Sequence, residues 1–265
     1  MISGVRILLL GLFLLWGLAL PGRAAPDLPE SLEKFQYRVS LGGWSEVAQA
    51  QLVLKELGPG RYLAEFTGEP QGAWRLLQRW LPERYQTEMV LAEGRLKPQL
   101  FREVFYSWGE RITKEYRFDY GQGRLEMWRQ AGDRKMVKEW QVPLQEAVYD
   151  PLSLWYNARL GAFGPLAPGE TLRVAALPTP DPEEMVIRIG AGNPEGRKVM
   201  IMIKENPSGE ERGPFFVSFS PKWAPQLAWM RVPPLGKLTG HLLDPDAAMN
   251  LAFPPLPAHS PGENR

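Results

Sequence analysis

Residues 35–41 alternate strictly, with Phe35, Tyr37, Val39 and Leu41 apolar and Gln36, Arg38 and Ser40 polar between them. Period-two alternation is the signature of a strand with one face in a core and one in water. The stretch 111–120 repeats it: Ile112, Tyr116, Phe118 and Tyr120 share one parity, interrupted by Lys114. Similar runs occupy 49–57, 61–67, 86–92, 99–107, 124–130 and 135–142, then 171–177, 185–190, 197–204, 214–220, 226–232 and 236–243. Turn residues separate them, among them Gly58-Pro59-Gly60, Glu93-Gly94, Gly121-Gln122-Gly123 and Asn206-Pro207-Ser208-Gly209. Gly supplies positive φ, and Pro presets a turn corner. Links this short join antiparallel neighbours, because a parallel crossover needs about a dozen residues. The pattern therefore predicts a mainly β chain whose antiparallel, strongly curved sheet forms a barrel or half-barrel. In 197–204, Met200 and Met202 alternate with Val199, Ile201 and Ile203, which predicts a strand covered on both faces, either a central strand or one between a helix and a barrel interior.

Two segments depart from this pattern. Residues 150–160 (DPLSLWYNARL) predict one short helix packed on the sheet. Asp150 is a suitable N-cap, Pro151 suits the first helical position, and Gly161 suits a left-handed stop. Residues 73–81 (AWRLLQRWL) read either as a short amphipathic helix or as an irregular strand, with the helix preferred. There Trp74, Leu77 and Leu81 recur at helical spacing, with Arg75 and Arg79 on another face.

The N-terminus reads as an export leader. An apolar run over 7–20 follows Arg6, Pro21-Gly22 breaks it, and small residues precede a cleavage point after Ala24. The competing reading is an uncleaved anchor, but this run falls short of the about 20 residues that span a bilayer. Cleavage removes Arg6 and Arg23 and takes the net charge from +1 to −1. The expected organisation is a leader over 1–24, one β-rich domain over 25–253 and a disordered tail over 254–265, in a periplasmic protein without a transmembrane anchor. The absence of Cys excludes a disulfide framework, a thiolate metal site and a Cys nucleophile. Near-neutral charge excludes the electrostatic footprint of a nucleic-acid binder.

Candidate chemistry is sparse. There is no nucleophile elbow, phosphate-binding loop or zinc-protease motif, and the only His residues are His241 and His259. No metal or cofactor is expected. Glu103, Glu110, Glu115, Glu126 and Glu139 lie on or near strands, and two carboxylates in a cleft are the minimum for glycoside hydrolysis. The unusual feature is tryptophan: ten in the chain, nine beyond the leader. Core filling accounts for most of them. The functional alternative is an aromatic-lined groove or cavity for an apolar or glycan ligand. Trp74 and Trp80, with Leu77, Arg75 and Arg79, are its candidate residues, suited to a lipid with an anionic head group or to an envelope surface.

Several stretches together resemble an exported bacterial family, domain of unknown function 3108. Phe35-Gln36-Tyr37-Arg38-Val39-Ser40-Leu41-Gly42-Gly43 is similar to its opening strand, Gly94-Arg95-Leu96-Lys97-Pro98 to a turn, and Tyr116-Arg117-Phe118-Asp119-Tyr120 to a later strand. The run from Asp150-Pro151-Leu152-Ser153 to Arg159 resembles its helix most closely, and 219–233 and 236–242 resemble its last two strands. The resemblance spans about 34–243. It implies an exported, mostly antiparallel β protein of the envelope and supplies no catalytic residues. Asp150, Pro151, Trp155 and Arg159 are expected to be architectural. The functional expectation is non-enzymatic binding of a lipid or glycan of the envelope, in a cavity lined by Trp and Leu. The alternatives are a scaffold for another envelope protein and a carboxylate-based hydrolase.

Overall fold

The computed structural model describes residues 31–74, 82–107, 109–144, 148–164, 166–177, 183–193, 196–203, 215–220, 224–232 and 235–244. The expected leader and tail lie outside them, as do Arg75, Leu77, Arg79 and Trp80.

Among the described residues, fifteen strands and one helix make the fold. The first eight strands are β1 (Ser31–Leu41), β2 (Trp44–Gly58), β3 (Arg61–Pro70), β4 (Pro82–Ala92), β5 (Arg95–Ser107), β6 (Glu110–Asp119), β7 (Arg124–Ala131) and β8 (Val137–Pro143). A two-residue strand, β9 (Val148–Tyr149), leads into α1 (Pro151–Leu160). The remaining strands are β10 (Thr171–Ala176), β11 (Glu183–Asn193), β12 (Gly196–Ile203), β13 (Phe215–Phe219), β14 (Pro225–Val232) and β15 (Gly236–Leu242). They form a single sheet in the order β8-β7-β6-β5-β4-β3-β2-β1-β15-β14-β13-β12-β11-β10-β9. Two meanders thus run outward from β1, joined where β1 pairs with β15 through Tyr37↔Leu242 and Leu41↔Leu238. Of the two placements open to the Met-rich run, β12 takes the central one, between β11 and β13.

Among the described residues every pairing is antiparallel except β9 with β10, which is parallel. Short turns alone predict no such pair. It forms because α1 and its trailing loop separate β9 from β10 with the length that a parallel crossover requires.

The alternation of the sequence becomes the two faces of the sheet. Phe35, Tyr37 and Leu41 are buried on the concave face, whereas Lys34, Gln36 and Arg38 face water. Three apolar clusters follow one another around this concave face. Phe35, Leu52, Leu54, Met89 and Leu96 form one with Leu152 and Tyr156 of α1. Tyr149, Ile187, Ile189, Val217 and Phe219 form a second with Leu154. Phe101, Tyr116, Phe118, Leu125 and Met127 pack in a third with Leu144, Val148 and Leu177. That last cluster brings residues beside the β9 edge against β5–β7 through side chains, so the two halves, joined by a ladder at β1–β15, meet again by packing at their far ends.

The helix sits between the first two clusters, which explains its composition. Leu152, Leu154, Trp155, Tyr156 and Leu160 surround it with apolar groups, and a helix apolar all round is one buried on all sides. Trp155 packs against both clusters. α1 lies against the concave face, with Leu152 and Tyr156 packed in the first cluster and Leu154 in the second.

Candidate functional site

The connections β1–β2, β3–β4 and β5–β6 share one end of the half-barrel, and β2–β3, β4–β5 and β6–β7 share the other. The two ends carry different chemistry.

At the first end the β1–β2 turn meets the start of β15. Gly42 N–H donates to the Lys237 carbonyl at 2.9 Å. A Cβ on Gly42 would lie 2.9 Å from the Leu235 carbonyl oxygen, and φ there is +58°, so both space and conformation require Gly. This close approach seats a small apolar cluster of Leu41, Val47 and Ala48, with Val39, Trp74, Val232, Leu235 and Leu238 packed on it. Trp74 arrives on a single 3₁₀ turn, its N–H donating to the Gln71 carbonyl at 3.0 Å. Its ring contacts Trp44 with centroids 5.1 Å apart and planes at 58°. Trp44 is 54% exposed. Of the five proposed ligand-binding residues, Trp74 alone lies among the described residues, and it partners an exposed Trp44 that the sequence did not single out.

Around α1 the buried groups are polar and specific. Asp150 caps the helix, accepting from Leu152 N at 2.9 Å and Ser153 N at 3.1 Å. Ser153 Oγ accepts from Asp150 N–H at 3.1 Å and so closes a capping box. Thr87 of β4 donates a third hydrogen bond to Asp150 Oδ1 at 2.6 Å. Burial raises the Asp150 pKa, and the bonds from Thr87, Ser153 and Leu152 oppose that rise. One turn on, Asn157 takes the place of a neighbouring strand. Its Oδ1 accepts from Leu96 N at 2.9 Å, and its Nδ2 donates to the Leu96 carbonyl at 2.8 Å and to the Ser153 carbonyl at 2.8 Å. Leu96 needs this partner because β5 pairs with β6 only from Leu100 onward.

Toward the helix C-terminus, Arg159 forms an ion pair with Glu33 of β1. The two side chains are 11% and 1% exposed. Arg159 also lies 5.9 Å from the ring centroids of both Phe35 and Trp155. Burial raises the Glu33 pKa, although the Arg159 hydrogen bond and charge pull it down. Beside this pair, Glu33 Oε2, Trp155 Nε1 and the hydroxyls of Tyr37 and Tyr156 have no hydrogen-bond partner among the described residues. Burial, followed by the Glu33 charge, pushes both tyrosines above their ordinary value. The helix then stops at Gly161, whose φ is +74° and whose N–H reaches back to the helix carbonyls.

The five glutamates considered for hydrolysis sit in ion pairs. Glu103 faces Lys114, Glu110 pairs with Arg134, Glu126 with Lys138 and Glu139 with Arg129. Glu115 takes both Arg102 and Arg117 at 2.7 Å. The Lys114 that interrupts the apolar parity of β6 lies directly opposite Glu103 across the ladder. Burial opposes ionisation of Glu115, but the hydrogen bonds from Arg117 and Arg102 outweigh it and hold its carboxyl below the usual value. A carboxyl lowered in this way contributes stability above its unfolded pKa and loses it as pH falls through the folded value. Glu115→Gln should therefore cost about 1 kcal/mol at neutral pH. Urea unfolding curves of variant and wild type should converge as pH is lowered; a gap that persists at acid pH would show that the ionised carboxylate is not what stabilises.

Fold and site together define a mainly β, barrel-like protein wound around a buried helix. The family model for Protein of unknown function (DUF3108) matches residues 36–193, and the chain belongs to that family. No curated protein matches it. The chain is similar to the crystal structure of a beta-barrel-like protein of domain of unknown function DUF1849 from Brucella abortus. Identity is 10% and the TM-score 0.44, over 80% of this chain and 95% of that one.

Several groups that matter most here escaped the sequence reading. Glu33 had a signal: it shares the parity of Phe35 and Tyr37, so it is a charge on a buried face. Asn157 had a weaker one, a polar side chain one turn after Ser153 on a helix apolar all round. Thr87 had none, since Thr on a strand is ordinary.

Proposed function

We propose that the protein is exported through its 1–24 leader to the periplasm, where it binds an amphipathic component of the envelope without chemical turnover. The observation that carries this reading is the Trp44–Trp74 pair at the first end, with Trp44 54% exposed beside an apolar cluster. The ligand is met at this rim, beside the Leu41–Val47–Ala48 cluster. Exposed indoles suit a boundary at which one side is apolar and the other wet. The chain continues from Trp74 directly into Arg75, Leu77, Arg79 and Trp80, whose residue types add cations and further apolar groups for an anionic head group.

The test is flotation of the protein with vesicles of phosphatidylglycerol and phosphatidylethanolamine, with tryptophan emission as a second readout. Wild type should float and shift its emission to the blue. Trp44→Ala should lose most of the bound fraction with little change in melting temperature, because its side chain is largely in water already. Equal flotation of wild type and variant would overturn the assignment of this rim.

A further inference from the structure

The second end carries a different feature. There the β5–β6 ladder stops at Leu100↔Arg117, so that 95–99 of β5 form an overhang without a β6 partner, while Phe118 and Asp119 of β6 pair on with β7. An open concavity of about 530 Å³ results, lined by Val90, Ala92, Lys97, Gln99, Phe118, Asp119, Tyr120 and Gly121. Its volume falls within the range of small-ligand sites, about 300–1,000 Å³.

The lining has a definite chemistry. Phe118 and Tyr120 lie nearly parallel, with planes at 16° and centroids 6.4 Å apart, so that Phe118, buried in the third cluster, backs the Tyr120 ring. Tyr120 is held by its buried end. Its hydroxyl has no partner among the described residues and lies within electrostatic reach of Tyr149 and Asp150 beside the start of α1. The charges of the wall are already balanced. Lys97 pairs with Glu93 at 2.5 Å, and Asp119 pairs with Arg124 at 3.3 Å. An ionic ligand would have to displace one of these pairs. What remains for a ligand is hydrogen bonding in both senses: the Gln99 amide donates and accepts, Asp119 accepts and Lys97 donates.

We propose that this concavity is a carbohydrate-binding subsite that takes a neutral sugar ring against Tyr120. A neutral sugar presents an apolar C–H face and a rim of hydroxyls that both donate and accept, which is the complement of the Tyr120 ring with Gln99, Asp119 and Lys97 around it, the Lys97 ammonium 5.9 Å from the ring centroid. The open mouth suits one unit of a longer glycan. This site is at the opposite end from the Trp44–Trp74 rim and stands or falls independently of it.

Saturation-transfer-difference NMR on the full chain with N,N′-diacetylchitobiose, cellobiose and maltose tests the proposal. At least one of these should show transfer to its ring C–H protons at millimolar concentration. Gln99→Ala removes an exposed side chain and should weaken that binding about 2- to 10-fold while leaving the melting temperature unchanged. Tyr120→Leu should weaken it about tenfold or more, and Trp44→Ala should leave it as it is. No transfer to any of the three sugars would overturn the proposal, as would transfer that both Gln99→Ala and Tyr120→Leu leave untouched.

Discussion

Replacing Arg159 with Met should cost about 3–5 kcal/mol at neutral pH, because it strands the Glu33 carboxylate on the concave face of the sheet. Burial already raises the Glu33 pKa even with Arg159 in place. Without the cation its carboxyl rises further, and a protonated carboxyl needs no counter-charge. The deficit should therefore shrink as pH falls toward that raised value. The sign follows from linkage: a carboxyl whose folded pKa is raised binds more protons folded than unfolded, so stability declines as pH climbs through the window. Removing both partners gives the opposite result. The double variant Glu33→Met, Arg159→Met should recover to within about 1 kcal/mol of wild type or exceed it, since a well-packed apolar pair replaces a buried ion pair at little net expense. Urea unfolding of the two single variants and the double variant, at two pH values, closes the cycle. Additive losses in the double variant would show that the pair has no special coupling.

Asn157→Leu is the second large effect expected. Leu is close in shape and favours the helix, so propensity and volume predict almost no change. The structure predicts a loss of about 2–5 kcal/mol, because the Leu96 N–H and carbonyl would stay buried without their partner. The damage should be local. Amide exchange should quicken first at Leu96, in the β5 overhang that Asn157 closes, and only later in β12–β14. Chemical unfolding and residue-resolved hydrogen exchange check both parts. A stability unchanged from wild type would mean that water replaces the side chain there.

Both effects concern how a helix is seated inside a curved sheet, and this is where sequence and tertiary structure divide. Alternation such as Phe35, Tyr37 and Val39 is a local property of the chain, and so are turns such as Glu93-Gly94. From these the strands, their antiparallel order and the curved, mainly β architecture are legible without any coordinates. The helix at 150–160 is equally local, written in Asp150, Pro151 and Gly161. Pairings between distant segments are not written in this way. Nothing in the sequence states that Asn157 answers Leu96, that Arg159 meets Glu33 across more than a hundred residues, or that Thr87 reaches Asp150. Alternation names the buried face of a strand but not what covers it, and here α1 packs on it. The same holds for the two candidate sites. Trp74 stands out by composition, but its partner Trp44 and the Tyr120 concavity exist only because turns remote in sequence converge at each end of the half-barrel. Local periodicity determines the elements; long-range register and side-chain packing decide where they meet.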